Sequence, residues 1–273
     1  MFTLLDLVQP DTLEEAYKTL ISKRNNTVLG GSAFLRLSSK RISTAIDLSK
    51  LNLNYIEEKN NYIEIGAMTT FRELETNPLL TSYFKGILPK AIANIIGVQF
   101  RNVVTVGATV YSKYGFSDLI TALMVLDTEV ELYHGGRMRL EEFLDKPYQK
   151  DILTKLYIKK DERKAVYQNF RNSVSDYPIL NVAISSSVNQ INQWLIVVGA
   201  RPLKAKVAHK ASQELSSREL SKSSLSIEDF EYVTELAAEE LSFGTNMRGS
   251  ADYRKAICKV LVKRGIMEVL QCK

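Results

Sequence analysis

The chain is poor in the side chains that hold metals. It has two cysteines, Cys258 and Cys272, and two histidines, His134 and His209, among 273 residues. Iron–sulfur clusters are ordinarily held by four thiolates, which two cysteines do not supply, and a four-ligand zinc site would need help from histidines that lie far from them in sequence. Cys258 reads as a core residue on a helix and Cys272 as a thiol at a frayed end. Apolar runs of membrane-spanning length are missing, and Met1–Asp6 has no basic leader pattern, so a cytoplasmic chain without a membrane partner is expected. Lys and Arg exceed Asp and Glu only by 36 to 31 and are scattered without an aromatic-interleaved stripe, which speaks against nucleic acid. Neither a nucleophile–base pair nor a carboxylate dyad is evident. Redox chemistry on such a chain requires an organic cofactor.

The apolar fraction of 45% suits a globular protein, and the length allows two packed domains. Phe2–Leu7, Val28-Leu29 and Thr44–Leu48 read as strands around a helix at Leu13–Ser22. Thr12 with Glu15, and Thr70 with Glu73, have capping-box spacing, in which each side chain serves a free backbone N–H at a helix start. Tyr62–Gly66 alternates as a half-buried strand, and Pro89–Ile96 is expected to be helical. Val103–Val110, rich in β-branched residues and interrupted by Gly107, reads as a strand running into a turn. Asp118 is placed to cap an apolar helix, Leu119–Leu126. Glu129–Tyr133 and Arg137–Leu140 form a hairpin with His134 at its tip. Asp151–Ile158, Ile179–Ser187 and Gln193–Val198 are further strands. Lys210–Ser226 reads as a linker. Two helices follow, Ser226–Leu241 with Phe230, Val233, Leu236, Ala237 and Leu241 inward, and Ala251–Val269 with Tyr253, Ile257, Val260 and Leu261 inward.

Two glycine turns carry the chemistry. One is Val28-Leu29-Gly30-Gly31-Ser32-Ala33-Phe34, the other Thr105-Val106-Gly107-Ala108-Thr109. Glycine lets the main chain approach a diphosphate closely and offer its N–H groups. Neither turn is G-x-G-x-x-G, so the dinucleotide fingerprint of the Rossmann fold is absent.

The stretch Ile96-Gly97-Val98-Gln99-Phe100-Arg101-Asn102-Val103-Val104-Thr105-Val106-Gly107-Ala108-Thr109, with Asp118 beyond it, resembles the signature of FAD-binding subunits in the xanthine dehydrogenase and carbon monoxide dehydrogenase family. That pattern runs roughly I-G-x-x-Q-I-R-N-x-G-T-I-G-G-N. The first turn resembles the same family's A-G-G-T-[DS] loop, and weaker matches extend over nearly the whole chain. The resemblance implies an α+β fold: a two-part FAD-binding domain over residues 1–160, with subdomains of about 1–54 and 55–160, then a C-terminal antiparallel sheet with helices over 161–273. It implies FAD held by Val28 to Phe34, Thr105, Gly107, Ala108 and Thr109. Asp118 would accept from the nucleotide's ribose, and Ile95 and Leu153 would pack near the cofactor. It also implies partner subunits bearing the iron–sulfur clusters and the molybdopterin, and an acceptor such as NAD+. Ala33, Ala108, Thr109 and Gln168 depart from the family's pattern. They leave open a scaffold subunit with a decayed flavin site, and a self-contained flavoenzyme of the same FAD fold is the other alternative.

Overall fold

The computed structural model of the chain describes residues 2–187, 193–217 and 227–271. Cys272 and residues 218–226 of the expected linker lie outside them. Two compact units emerge, and neither is one continuous stretch: the first comprises Met1–Leu74, Ile96–Ser112 and Thr128–Lys159, the second Glu75–Ile95, Lys113–Asp127 and Lys160–Lys273.

In the first unit, β1 (Thr3–Val8), β2 (Thr27–Leu29) and β3 (Arg41–Asp47) form a parallel sheet with β3 in the middle. The helix Leu13–Ser22 crosses from β1 towards β2 and buries Ala16 and Leu20 in a core shared with Ile46, Leu48, Leu53 and Ile152. Thr12 caps it as expected, its hydroxyl accepting from Glu15 N–H at 3.2 Å, while Glu15 reaches back to Asp11 N–H at 3.0 Å. Lys150 closes the other end by donating to the carbonyls of Leu20 (3.0 Å) and Lys23 (2.6 Å), where a cation meets the negative end of the helix dipole. A second sheet has the order β4 (Ile56–Lys59), β5 (Tyr62–Gly66), β8 (Leu153–Lys159), β6 (Thr128–Leu132), β7 (Gly136–Arg139), all antiparallel. Its period-two pattern buries Ile63, Ile65, Val130, Leu156 and Ile158 on one face. The β6–β7 hairpin turns at Gly136 (φ +68°), and His134 stacks flat against Tyr17, so the histidine has the packing role its place in a hairpin suggests.

The second unit is built on β9 (Lys164–Phe170), β10 (Leu180–Ser187), β11 (Gln193–Gly199) and β12 (Lys206–Val207), an antiparallel sheet in the order β12-β11-β10-β9. Alternate residues Val182 and Ile184, Ile196 and Val198 enter a core with Val233, Ala237 and Leu241 of the helix Ile227–Glu240 and with Cys258, Leu261, Val262 and Ile266 of the helix Ala251–Gln271. Burial pushes the Cys258 thiol up to about 12, consistent with a packing residue.

Several elements depart from expectation. The β-branched stretch 103–110 is not a strand: Val98–Arg101 and Val106–Tyr111 are short helices, and Val106 and Val110, four residues apart, share a buried face. The helix expected at Pro89–Ile96 runs instead over Ile87–Ile92. The cap of Asp118–Met124 is Ser117, whose hydroxyl accepts from Ile120 N–H, and Asp118 is the first helical residue. Residues 210–217 of the stretch read as linker belong to a helix, His209–Ser217, with Ala211 and Leu215 inward. On the last helix Tyr253 and Val260 are exposed, and Arg254 is buried instead. Its guanidinium donates to Ile179 O, Gly244 O, Gly249 O and Asn246 Oδ1, which satisfies a charge that among the described residues has no ion-pair partner.

Candidate functional site

All the members of both glycine-bearing segments fall in the first unit, and the fold brings them together. The first turn leaves the carboxyl end of β2, beside Asp47 at the end of β3. Gly31 (φ +73°) and Ser32 (φ +55°) are consecutive left-handed residues, after which Leu35–Leu37 forms a single 3₁₀ turn. A β-carbon at position 31 would overlap the Val103 carbonyl oxygen outright, so this glycine is dictated both by backbone angle and by the neighbouring segment. Val28 to Phe34 are all half-buried.

The second segment supports the first. Thr105 caps the helix Val106–Tyr111, its hydroxyl accepting from Ala108 N–H at 3.3 Å. Val106 N–H donates to Thr69 O at 2.9 Å and Gly107 N–H to Ala67 O at 2.8 Å. A β-carbon on Gly107 would stand 2.7 Å from that same carbonyl oxygen, so Gly107 is required for close packing on the turn after β5. Thr109 bonds to Thr105 O through both its N–H (3.2 Å) and its hydroxyl (3.0 Å). The N–H groups of 106–109 are therefore all spent inside the protein.

The donors left over belong to the first turn. Among the described residues, the N–H groups of Gly31, Ser32 and Ala33 meet no acceptor. Successive main-chain donors in a turn make an anion-binding concavity. Neither 28–34 nor 103–109 contains an acidic side chain. The nearby Asp47 carboxylate is taken up by Gln9 Nε2 (2.8 Å) and Ser49 N–H (3.0 Å). Those features fit one end of a diphosphate. Leu153, the first residue of β8, is buried next to Thr154, whose carbonyl accepts from Ala67 N–H and so holds the turn on which Gly107 rests.

Ile95 and Asp118 belong to the second unit. Ile95 is half-buried. Asp118 is almost completely buried, and its Oδ1 accepts from Arg171 Nη2 (2.7 Å), Asn181 Nδ2 (3.3 Å) and the Tyr167 hydroxyl. Burial drives the carboxyl above its ordinary value, and the opposing Arg171 charge and hydrogen bonds do not reverse that direction. Burial and the adjoining carboxylate raise the Tyr167 phenol likewise. Gln168 donates to Glu268 on the last helix. Arg171, Tyr167 and Asn181 had no signal in sequence, since each lies about 50 or more positions from Asp118 along the chain.

Among the described residues no cluster of metal-ligating side chains occurs, and no helix is long and apolar enough to cross a membrane. The family described as the FAD binding domain in molybdopterin dehydrogenase matches residues 2–160, and the CO dehydrogenase flavoprotein C-terminal domain matches residues 165–269. The nicotine 6-hydroxylase medium subunit of Paenarthrobacter nicotinovorans is 26% identical, over 95% of both chains. The nicotinate dehydrogenase FAD-subunit of Eubacterium barkeri is 31% identical over 50% of this chain and 49% of its own length. Carbon monoxide dehydrogenase from Hydrogenophaga pseudoflava contains a chain of the same fold, with a TM-score of 0.86 at 19% identity, covering 97% of this chain and 96% of that one.

Proposed function

This chain belongs to the family of FAD-binding domains in molybdopterin dehydrogenases, and from that premise we propose that its Gly30–Phe34 turn binds the diphosphate of FAD. It is a flavoprotein subunit of a molybdenum-hydroxylase-type oxidoreductase. The observation that carries the diphosphate assignment is the set of unpartnered N–H groups at Gly31, Ser32 and Ala33, seated against a segment whose own donors are spent. The first turn supplies the donors in this reading. Thr105, Gly107, Ala108 and Thr109 form the wall behind it. Residues 1–160 serve as the FAD-binding part and 161–273 as the C-terminal part.

When bound, FAD supplies the capacity to take up and release two electrons, which no side chain of this protein offers. The chain contributes binding, orientation and exclusion of water. In this reading the iron–sulfur and molybdopterin centres reside on partner subunits, which the family match and the relatives named as medium and FAD-subunits support, and we assign NAD+ as a candidate final acceptor. The cytoplasm is the compartment that suits such a complex.

The test is a visible spectrum of the purified chain after incubation with FAD and desalting, alongside Ala33→Glu, which sets a carboxylate next to the donors. Retained flavin in the native chain and an affinity at least about tenfold weaker in the variant support the reading. A folded native chain that retains none favours a scaffold role.

A further inference from the structure

The two glycine-bearing segments touch at positions 30 and 108, and the contact has room for one β-carbon. Ala108 supplies it: a β-carbon placed on Gly30 would collide with the Ala108 methyl, while its next neighbours, Thr105 Oγ1 at 3.0 Å and Ala108 Cα at 3.4 Å, are close but tolerable. Gly30 is not among the residues with positive φ, so its backbone is open to any L-residue, and the Ala108 methyl is what excludes a side chain there. Position 31 differs, since both its φ and the Val103 carbonyl bar a β-carbon.

We propose that Ala108 is a positioning residue for FAD: its methyl fills the space shared by positions 30 and 108 and so holds the Gly30–Phe34 turn in the shape that presents its N–H groups. The proposal rests on the diphosphate reading above and adds the part that sets the turn's geometry. The methyl is well placed for this. Ala108 sits in a helix fixed at two points, by Val106 N–H on Thr69 O and Gly107 N–H on Ala67 O, and capped by the Thr105 hydroxyl on Ala108 N–H. The side chain closing on Gly30 therefore comes from a fixed platform rather than a mobile loop. Van der Waals support from a single methyl is small in energy but steep in distance, so its removal lets the turn sag without unfolding the chain. On this account the β-carbon at 108 braces the phosphate turn and does not intrude on the phosphate.

The experiment compares the full-length native chain with Gly30→Ala, Ala108→Gly and the double variant that carries the methyl on residue 30 instead. Two quantities are read: the thermal unfolding midpoint without FAD, and the FAD dissociation constant from quenching of flavin fluorescence. Gly30→Ala should lower the midpoint and weaken FAD binding by about tenfold or more. Ala108→Gly, a glycine within a helix, should lower the midpoint by about 2–4 °C and weaken binding by roughly threefold to tenfold. The exchanged pair should bring the midpoint back to that of Ala108→Gly and the affinity to within about threefold of native. A double variant no better than Gly30→Ala would overturn the shared-space idea. Binding by Ala108→Gly as tight as native, or tighter, would show that the methyl crowds the ligand rather than bracing the turn. A native chain that takes up no FAD at all removes the diphosphate reading and the positioning role with it, whatever the unfolding midpoints show.

Discussion

Gly31 and Gly136 have nearly the same backbone angle, φ +73° and +68°, yet they stand in opposite surroundings. A β-carbon on Gly136 meets nothing within 4 Å, whereas one on Gly31 runs into the Val103 carbonyl. Alanine at 136 pays only the left-handed backbone penalty, about 1–2 kcal/mol. Alanine at 31 adds a backbone collision that forces the turn off its support, for a total of about 2–4 kcal/mol. Urea unfolding of the two variants measures the difference, and equal losses would mean that the Gly31–Val103 contact is not formed. The buried charges make a related point. Arg171 has the Asp118 carboxylate at 2.7 Å, with both side chains nearly inaccessible, whereas Arg254 is answered by neutral acceptors alone. Both are satisfied, by different chemistry.

Among the elements, those defined by local chemistry were legible in the sequence. The Thr70–Glu73 box is complete: Glu73 Oε2 accepts from Thr70 N–H at 2.8 Å, and Glu73 N–H donates to the Thr70 hydroxyl at 3.2 Å. Burial alone would raise the Glu73 carboxyl, but the bonds from Thr70 and from Asn54 outweigh it and hold the group below its ordinary 4.5. A lowered folded value means the ionised form stabilises the fold above about pH 4.5, and that contribution fades as pH falls through the lowered value. Glu73→Gln should therefore be less stable than native at pH 7, with the gap narrowing on acidification. A gap that stays constant from pH 7 down to about pH 3 would rule out the ionised cap. The helix Val106–Tyr111 was not legible, because its β-branched composition favours a strand while hydrogen bonds to Thr69 and Ala67, distant in sequence, select the helix. On the helix Ala251–Gln271, Ile257 and Leu261 face the core as expected, and only Tyr253 and Val260 were misplaced, for a similar reason. A buried arginine is foreseeable only when the carbonyls that receive it are known. At the site, the glycine turns were readable from residue type, but not that the N–H groups of 106–109 are bonded within the protein while, among the described residues, those of Gly31, Ser32 and Ala33 meet no acceptor.

Taken whole, the protein is an FAD-binding subunit of a molybdenum-hydroxylase-type oxidoreductase, and among the described residues no cluster of metal-ligating side chains occurs. FAD bound to the isolated chain should bleach on addition of dithionite and recover in air, while the chain alone should turn over neither nicotine nor nicotinate. Turnover by the chain alone would replace the electron-transfer reading with that of a self-contained flavoenzyme. The interleaving of the two units has a further consequence, for biogenesis. The turn at Gly31 leaves the ribosome about 70 residues ahead of Val103, a lag of roughly 4–14 s at ordinary elongation rates. Throughout that interval the nascent turn has neither the carbonyl it rests on nor the methyl at 108. If the Gly31 turn holds the flavin as proposed, nascent chains stalled before residue 103 should capture no FAD, and capture by such chains would show that the turn binds without its Val103 support.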